Sequence, residues 1–300
     1  MGEQLRVRVL GEFRVEGADL TRLRSRKART LLKVLALQLG RSVTVDALID
    51  AVWTDDLPAD PARDLSVLAS RARAVLGNER VLRRDGGYAL IAEWCDRDEV
   101  VALTREAARR QGSGDISGAR VAAEAALTLG ASQLLADELD AEWARGPRQE
   151  IDAVIAEARG IAAAAALASG QAGDAAVHAR AALAHDPFDE TALRLLMRAH
   201  VAAGRPASAL AAYTQVREQL ADELGVRPSA ETEVLHDSIV LADPGAVGAF
   251  DGVVHTLDIV DAGDVVEVDD ALVPLVGRER ELPCSTLRSN ARADGPRSSW

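Results

Sequence analysis

Six side chains between positions 63 and 73 are of the types that read a nucleic acid. Arg63, Arg71 and Arg73 bring positive charge, Ser66 and Ser70 bring hydroxyls, and Val67 brings two methyls. On a helical wheel at about 100° per residue, Leu65, Leu68, Ala69, Ala72, Val75 and Leu76 share one side. Arg63, Ser66, Val67 and Ser70 take the opposite side, with Arg71 and Arg73 at its two shoulders. The apolar side reads as core. The other is short, polar and basic, which suits a major groove, where hydroxyls bond base edges or phosphate and a valine touches a thymine methyl. An ordinary solvated face with two arginines is the competing reading of this helix taken alone.

Two more basic clusters surround it. Arg83 and Arg84 stand just before Asp85-Gly86, at the tip of an expected hairpin. There they suit phosphate or minor-groove contact, or they are solubilising charge on an edge strand. Arg24, Arg26, Lys27 and Arg29 gather where a first helix should begin. Backbone N–H groups at a helix start favour an anion, so cations there are misplaced unless a phosphate arrives.

The charge balance supports a division of labour. The 300-residue chain carries a net charge of −12. Residues 1–95 hold 16 Lys+Arg against 13 Asp+Glu, whereas residues 96–300 hold 19 against 34. Only the first third offers a basic face to a polyanion. Lys27 and Lys33 are the only lysines, a bias that also fits a GC-rich genome.

Other chemistries find no support. Cys95 and Cys284 lie far apart, which excludes a disulfide framework and a four-cysteine zinc site. His178, His185, His200, His236 and His255 show no metal-ligand spacing, so no metal is expected. Cys95 neighbours acidic residues, which would not lower a thiol pKa. There is no G-x-S-x-G elbow and no G-x-x-x-x-G-K-[ST] loop. No catalytic residue, no cofactor and no ATP hydrolysis are expected. Without an eighteen-residue apolar run or an apolar signal core at Met1–Arg8, the chain reads as cytoplasmic, with no membrane partner.

The elements that must position these residues follow from periodicity. Leu5, Val7 and Val9 alternate with Arg6 and Arg8, and Phe13 and Val15 resume after Gly11, so two short strands turn near Gly11–Glu12. Ala28, Leu31, Leu32, Leu35 and Leu39 fall on one face of a helix stopped by Gly40. Thr44 can cap a second helix, Val45–Trp53. The third runs over 62–76 and ends at Gly77. Val81–Arg84 and Tyr88–Ile91 flank Asp85-Gly86-Gly87 as a hairpin.

Residues 96–241 read as helices, broken at Gly112–Gly114, Gly146-Pro147, Gly170–Gly173, Asp186-Pro187 and Gly204–Pro206. Gly170 and Ala175 recur 34 residues later as Gly204 and Ala209, the period of a tetratricopeptide helix pair. Gly114 and Ala119 repeat the offset at a spacing of 56, a degenerate unit. A generic helical bundle is the alternative. Residues 242–300, with six acidic and no basic residues over Asp258–Asp270, read as an acidic linker and poorly ordered tail.

These pieces carry a resemblance. SRKARTLLKVLAL (Ser25–Leu37), VTVDALIDAVW (Val43–Trp53), LASRARAVLG (Leu68–Gly77) and GGYAL (Gly86–Leu90) resemble the OmpR-type winged helix. Residues 96–240, above all PFDETALRLLMRAHVAAGRPASALAAYTQVREQLADELGVRPSAE (Pro187–Glu231), resemble the bacterial transcriptional activator domain. The pair resembles the antibiotic-regulatory, SARP-type activators. The resemblance implies a mainly α fold with small β elements: a winged helix-turn-helix over 1–93, then a tetratricopeptide-like helical domain over 96–241. It also implies a transcriptional activator of a secondary-metabolite gene cluster. Helix 62–76 would enter the major groove, and wing 81–90 would touch the backbone. The helical domain would dimerise the protein and engage RNA polymerase, and the DNA would carry direct repeats. Carried over, the DNA-facing residues are Arg63, Ser66, Val67, Ser70, Arg71, Arg73, Arg83 and Arg84, and Lys27 matches a basic position of the family's first helix.

There are departures. Ala72 stands where the family usually has Leu, which would weaken packing by roughly 2–3 kcal/mol unless neighbours fill the gap. Asp60 and Asp64 suit the helix dipole but repel phosphate if they face it. LVGREREL (Leu275–Leu282) is similar to the entry segment of STAND-type nucleotide-binding domains, which suggests a truncated relative or a fragment of a larger regulator. The rival reading is a protein-interaction scaffold whose helical repeats bind a partner and whose winged helix does not read DNA.

Overall fold

The alternating N-terminus forms a pair of strands. In the computed structural model, which describes residues 4–54 and 56–242, β1 (Arg6–Arg8) pairs antiparallel with β2 (Arg14–Glu16), Val7 opposite Val15. Helix α1 (Arg26–Leu37) starts at Ser25, whose Oγ accepts the Ala28 N–H. It ends two residues before the last apolar position of its expected stripe. Gly40, at φ +76°, then turns the chain so that its N–H reaches the Leu90 carbonyl at 2.9 Å.

Strand β3 (Val43–Thr44) leads into α2 (Val45–Val52), capped by the Thr44 hydroxyl. Helix α3 (Pro61–Leu76) opens with a proline, whose missing N–H is no loss in a first turn. The Asp60 carboxylate accepts the Arg63 N–H at 3.1 Å. Leu65, Leu68, Ala69, Ala72 and Leu76 are buried, as the wheel requires.

Strands β4 (Val81–Arg84) and β5 (Gly87–Leu90) follow, joined by Asp85 and Gly86 at φ 49° and 73°. Two positive φ values make a type I′ turn, which matches strand twist. Gly87 therefore belongs to β5 and not to the turn. A Cβ there would stand 2.0 Å from the Val43 carbonyl oxygen, so only glycine lets β3 pair with β5. The wing sheet is ordered β3-β5-β4. Strand β6 (Trp94–Cys95) joins β1 in parallel to complete the other sheet, β2-β1-β6.

Helices then dominate, and the chain is mainly α. They are α4 (Asp96–Gly112), α5 (Ile116–Leu129), α6 (Arg145–Ala168), α7 (Ala172–His185), α8 (Glu190–Ala202), α9 (Pro206–Gln219) and α10 (Ala230–Leu241). Consecutive members of α4/α5, α6/α7 and α8/α9 pack as hairpins. Alanines make the seams. Ala119, Ala123 and Ala162 meet in one cluster, and Ala163, Ala166, Ala175 and Ala179 meet in another. Ala175 and Ala209, the repeat-related pair, are both fully buried.

One expected break moves. Gly146-Pro147 lies in the first turn of α6, where proline is tolerated. The real interruption is 130–144, helical only in a 3-10 turn at Glu142–Ala144. This segment runs back along the N-terminal strands. Leu135 N–H donates to Val9 O at 2.7 Å, Ala136 N–H to Gly11 O at 2.8 Å and Gly11 N–H to Gln133 O at 2.9 Å. Leu134 and Leu135 enter one continuous core that runs from Leu5 through α1 and α3 to Ala158 of α6. The readings made for residues 243–300, Leu275–Leu282 and Cys284 among them, lie outside the described residues.

Candidate nucleic-acid interface

With its apolar stripe in the core, α3 turns Arg63, Val67, Ser70 and Arg71 outward. Val67 is 42% exposed, so its methyls are open to a ligand. Ser66 is half-buried, and its hydroxyl donates to the Arg63 carbonyl at 2.7 Å. Asp60 is turned onto the helix start, while Asp64 stays exposed in the first turn. On the wing, Arg83 and Arg84 are exposed on β4. The guanidiniums of Arg63, Arg71, Arg83 and Arg84 form no ion pair among the described residues. Four exposed cations without an internal counter-ion leave this side free for an external anion.

Arg73 stands apart from them. It is half-buried, its Nε donates to the Val81 carbonyl at 2.7 Å, and its guanidinium lies 5.6 Å from the Tyr88 ring centre. Three of the four cations at the start of α1 also have partners. Lys27 is exposed, with its ammonium 5.2 Å from the Trp53 ring centre. Arg29 donates from Nε to Leu23 O at 2.9 Å and from Nη2 to Leu20 O at 3.2 Å. Arg26 approaches Glu138 at 3.9 Å. Protein groups thus answer part of the charge that periodicity alone reserved for phosphate.

Sequence reasoning missed what fixes the head, the described residues up to 95, to segment 130–144 and to α4. Lys33, only 4% exposed, places its ammonium 2.6 Å from Asp137 and 2.8 Å from Glu138. Burial works upward on the Asp137 carboxyl, but the hydrogen bond and charge of Lys33 outweigh it and hold its pKa below the ordinary value. Asp96, 1% exposed, accepts N–H bonds from Val9, Leu10 and Arg97 at 2.9, 3.0 and 2.8 Å. Burial nevertheless pushes its carboxyl above the usual range. The only hint of Lys33 in the sequence is its place as the one charged residue in the apolar run Leu31–Leu37.

Cys95 is not an activated thiol. Burial, followed by the charges of Asp98 and Asp96, pushes the Cys95 thiol up to about 12. Burial also lowers His178, and burial with Arg205 and Arg180 lowers His200. Among the described residues no three His, Cys, Asp or Glu side chains gather as a metal-ligand set. Among the same residues no helix is long and apolar enough to cross a membrane.

Comparison with known proteins adds to this geometry. The bacterial transcriptional activator domain matches residues 95–240. Regulatory protein AfsR of Streptomyces griseus is 33% identical over 244 residues, 80% of this chain and 25% of that protein. The chain thus spans about a quarter of the AfsR length. Regulatory protein DnrI of Streptomyces peucetius is 30% identical over 241 residues, 74% of this chain and 86% of that one. A structure of Mycobacterium tuberculosis EmbR in complex with a low affinity phosphopeptide superposes with a TM-score of 0.71 at 24% identity. It covers 79% of this chain and 65% of the EmbR chain, and shows the fold to be shared.

Proposed function

The chain belongs to the antibiotic-regulatory, SARP-type family of transcriptional regulators, and on that footing we propose that it binds double-stranded DNA in a sequence-specific way and activates transcription. Residues 1–93 form the reader. Helix α3 lies in the major groove with Arg63, Ser66, Val67, Ser70 and Arg71 toward the bases and their phosphates. The wing sets Arg83 and Arg84 on the backbone. Lys27 stands where a flanking phosphate would pass. Residues 96–241 contact a second copy of the chain and RNA polymerase, and two copies sit side by side on direct repeats.

One observation carries this reading. The outward side of α3 and the wing tip present four exposed guanidiniums with no ion pair among the described residues. Phosphate supplies the missing anions, and base edges meet Val67 and Ser70 between them.

The test is fluorescence anisotropy with DNA from upstream of the protein's own gene cluster, against unrelated DNA of equal length, across a salt series. Each phosphate contact contributes roughly −0.9 to the slope of log K against log salt. Arg71→Ala should remove discrimination between the two DNAs and flatten the slope by about one contact. If the chain binds neither DNA at low salt, the reader assignment fails, and the helical repeats become the place to look for a protein partner.

A further inference from the structure

Arg73 is grouped by sequence with the DNA-facing residues, but its side chain is committed elsewhere. Only residues 77–80 separate the end of α3 from the start of β4. That turn is tight: Gly77 has φ +106°, its N–H donates to Arg73 O at 2.8 Å, and Arg80 N–H donates to Gly77 O at 3.3 Å. Across it, Arg73 Nε donates to Val81 O at 2.7 Å. Val81 is fully buried and pairs with Leu90 of β5. The same guanidinium lies over Tyr88, which is buried on β5 and faces Arg83 in the ladder. One side chain therefore joins the last turn of the helix to both strands of the wing. Its charge also sits at a helix C-terminus, where a cation is favoured.

We infer that Arg73 is a positioning residue. It holds the wing at a fixed angle to α3, so that Arg83 and Arg84 meet the backbone beside the bases that α3 reads. The inference rests on the DNA-reading assignment above and deepens it. Arginine is required because the Nε–H and the flat guanidinium act together. A lysine keeps the charge but has neither a donor at that point of the stem nor a plane to stack.

The experiment is a double-mutant cycle in the full chain, with a second measurement that needs no DNA. DNA affinity is measured for wild type, Arg73→Lys, Arg83→Ala/Arg84→Ala and the combined variant at one salt concentration. Amide hydrogen exchange is followed over residues 81–90 without DNA. Arg73→Lys should weaken binding about tenfold in the wild-type background and by less than about twofold once the wing arginines are gone, since nonadditivity marks residues that act as a unit. Exchange over 81–90 should quicken in Arg73→Lys. An equal penalty in both backgrounds means direct contact with DNA and overturns the inference, as does wild-type affinity in Arg73→Lys. If no variant binds DNA, the reader assignment fails, and exchange decides about Arg73: faster exchange upholds its hold on the wing, and unchanged exchange overturns it. Should Arg73→Lys unfold, Arg73→Gln, which keeps a shorter amide donor, takes its place under the same criteria.

Discussion

Replacing Lys33 with methionine should cost the protein about 2–3 kcal/mol. The methionine stem fills most of the lysine's volume, so the change is mainly electrostatic. It strips the ammonium from between Asp137 and Glu138, 2.6 and 2.8 Å away. Removing one partner from a fully sealed pair costs roughly 3–5 kcal/mol, because a charge is left buried and unpaired. Here the Glu138 side chain is 14% exposed and that of Asp137 is 37% exposed, so both can recover part of their hydration. Arg26, at 3.9 Å and almost fully exposed, compensates little. A loss of this size lowers the Tm by about 5–10 °C in a unit of this length. The assay is calorimetry at two pH values. The pKa of Asp137 is lowered in the fold, so its contribution is complete above the ordinary carboxylate value of about 3.9 and fades as pH falls through the lower folded value. The gap between wild type and Lys33→Met is therefore wide at neutral pH and narrows in acid. Adding Asp137→Asn/Glu138→Gln should recover most of the loss. A Tm within about 1 °C of wild type at neutral pH would refute the reasoning, and so would a gap that ignores pH.

Three other substitutions test the frame. Gly87→Ala forces a Cβ to within 2.0 Å of Val43 O and should cost about 3 kcal/mol or more by driving β3 off β5. Gly86→Ala, in open space but at φ +73°, should cost only about 1–2 kcal/mol in chemical denaturation. Asp96→Ala leaves the Val9, Leu10 and Arg97 N–H groups without their acceptor and should lower stability by about 3 kcal/mol, measured by urea titration at pH 7. A loss under about 1 kcal/mol would mean that water replaces the carboxylate.

Much of the head was legible because its signals are local. Ser25, Thr44 and Asp60 cap helices within three residues of themselves. The apolar stripe of α3 is set by a period of about 3.6 residues, and Asp85-Gly86 is a turn signal complete in two residues. The outward side of α3 followed from the same arithmetic, so Arg63, Val67, Ser70 and Arg71 were found correctly on the exposed side. Strands β3 and β6 were not legible. Each has two residues, too few for an alternating pattern to show, and each exists only because a partner strand is already in place.

The amino-acid sequence by itself determined the three helices of the first 93 residues, the apolar sides of α1 and α3, and where basic residues collect. These depend on contacts a few residues long. Tertiary structure alone decided what the polar residues do once those segments pack. Lys33 meets carboxylates 104 and 105 residues away. Asp96 closes the end of β1 across 87 residues. Arg73, a DNA-facing shoulder on the wheel, turns to the wing because the Val81 carbonyl and the Tyr88 ring lie within its reach and water does not fully cover it. A wheel gives a side chain's direction from the helix axis. The fate of its charge depends on which distant donor, acceptor or ring the fold brings there, because a group shielded from water must find its partner within the protein.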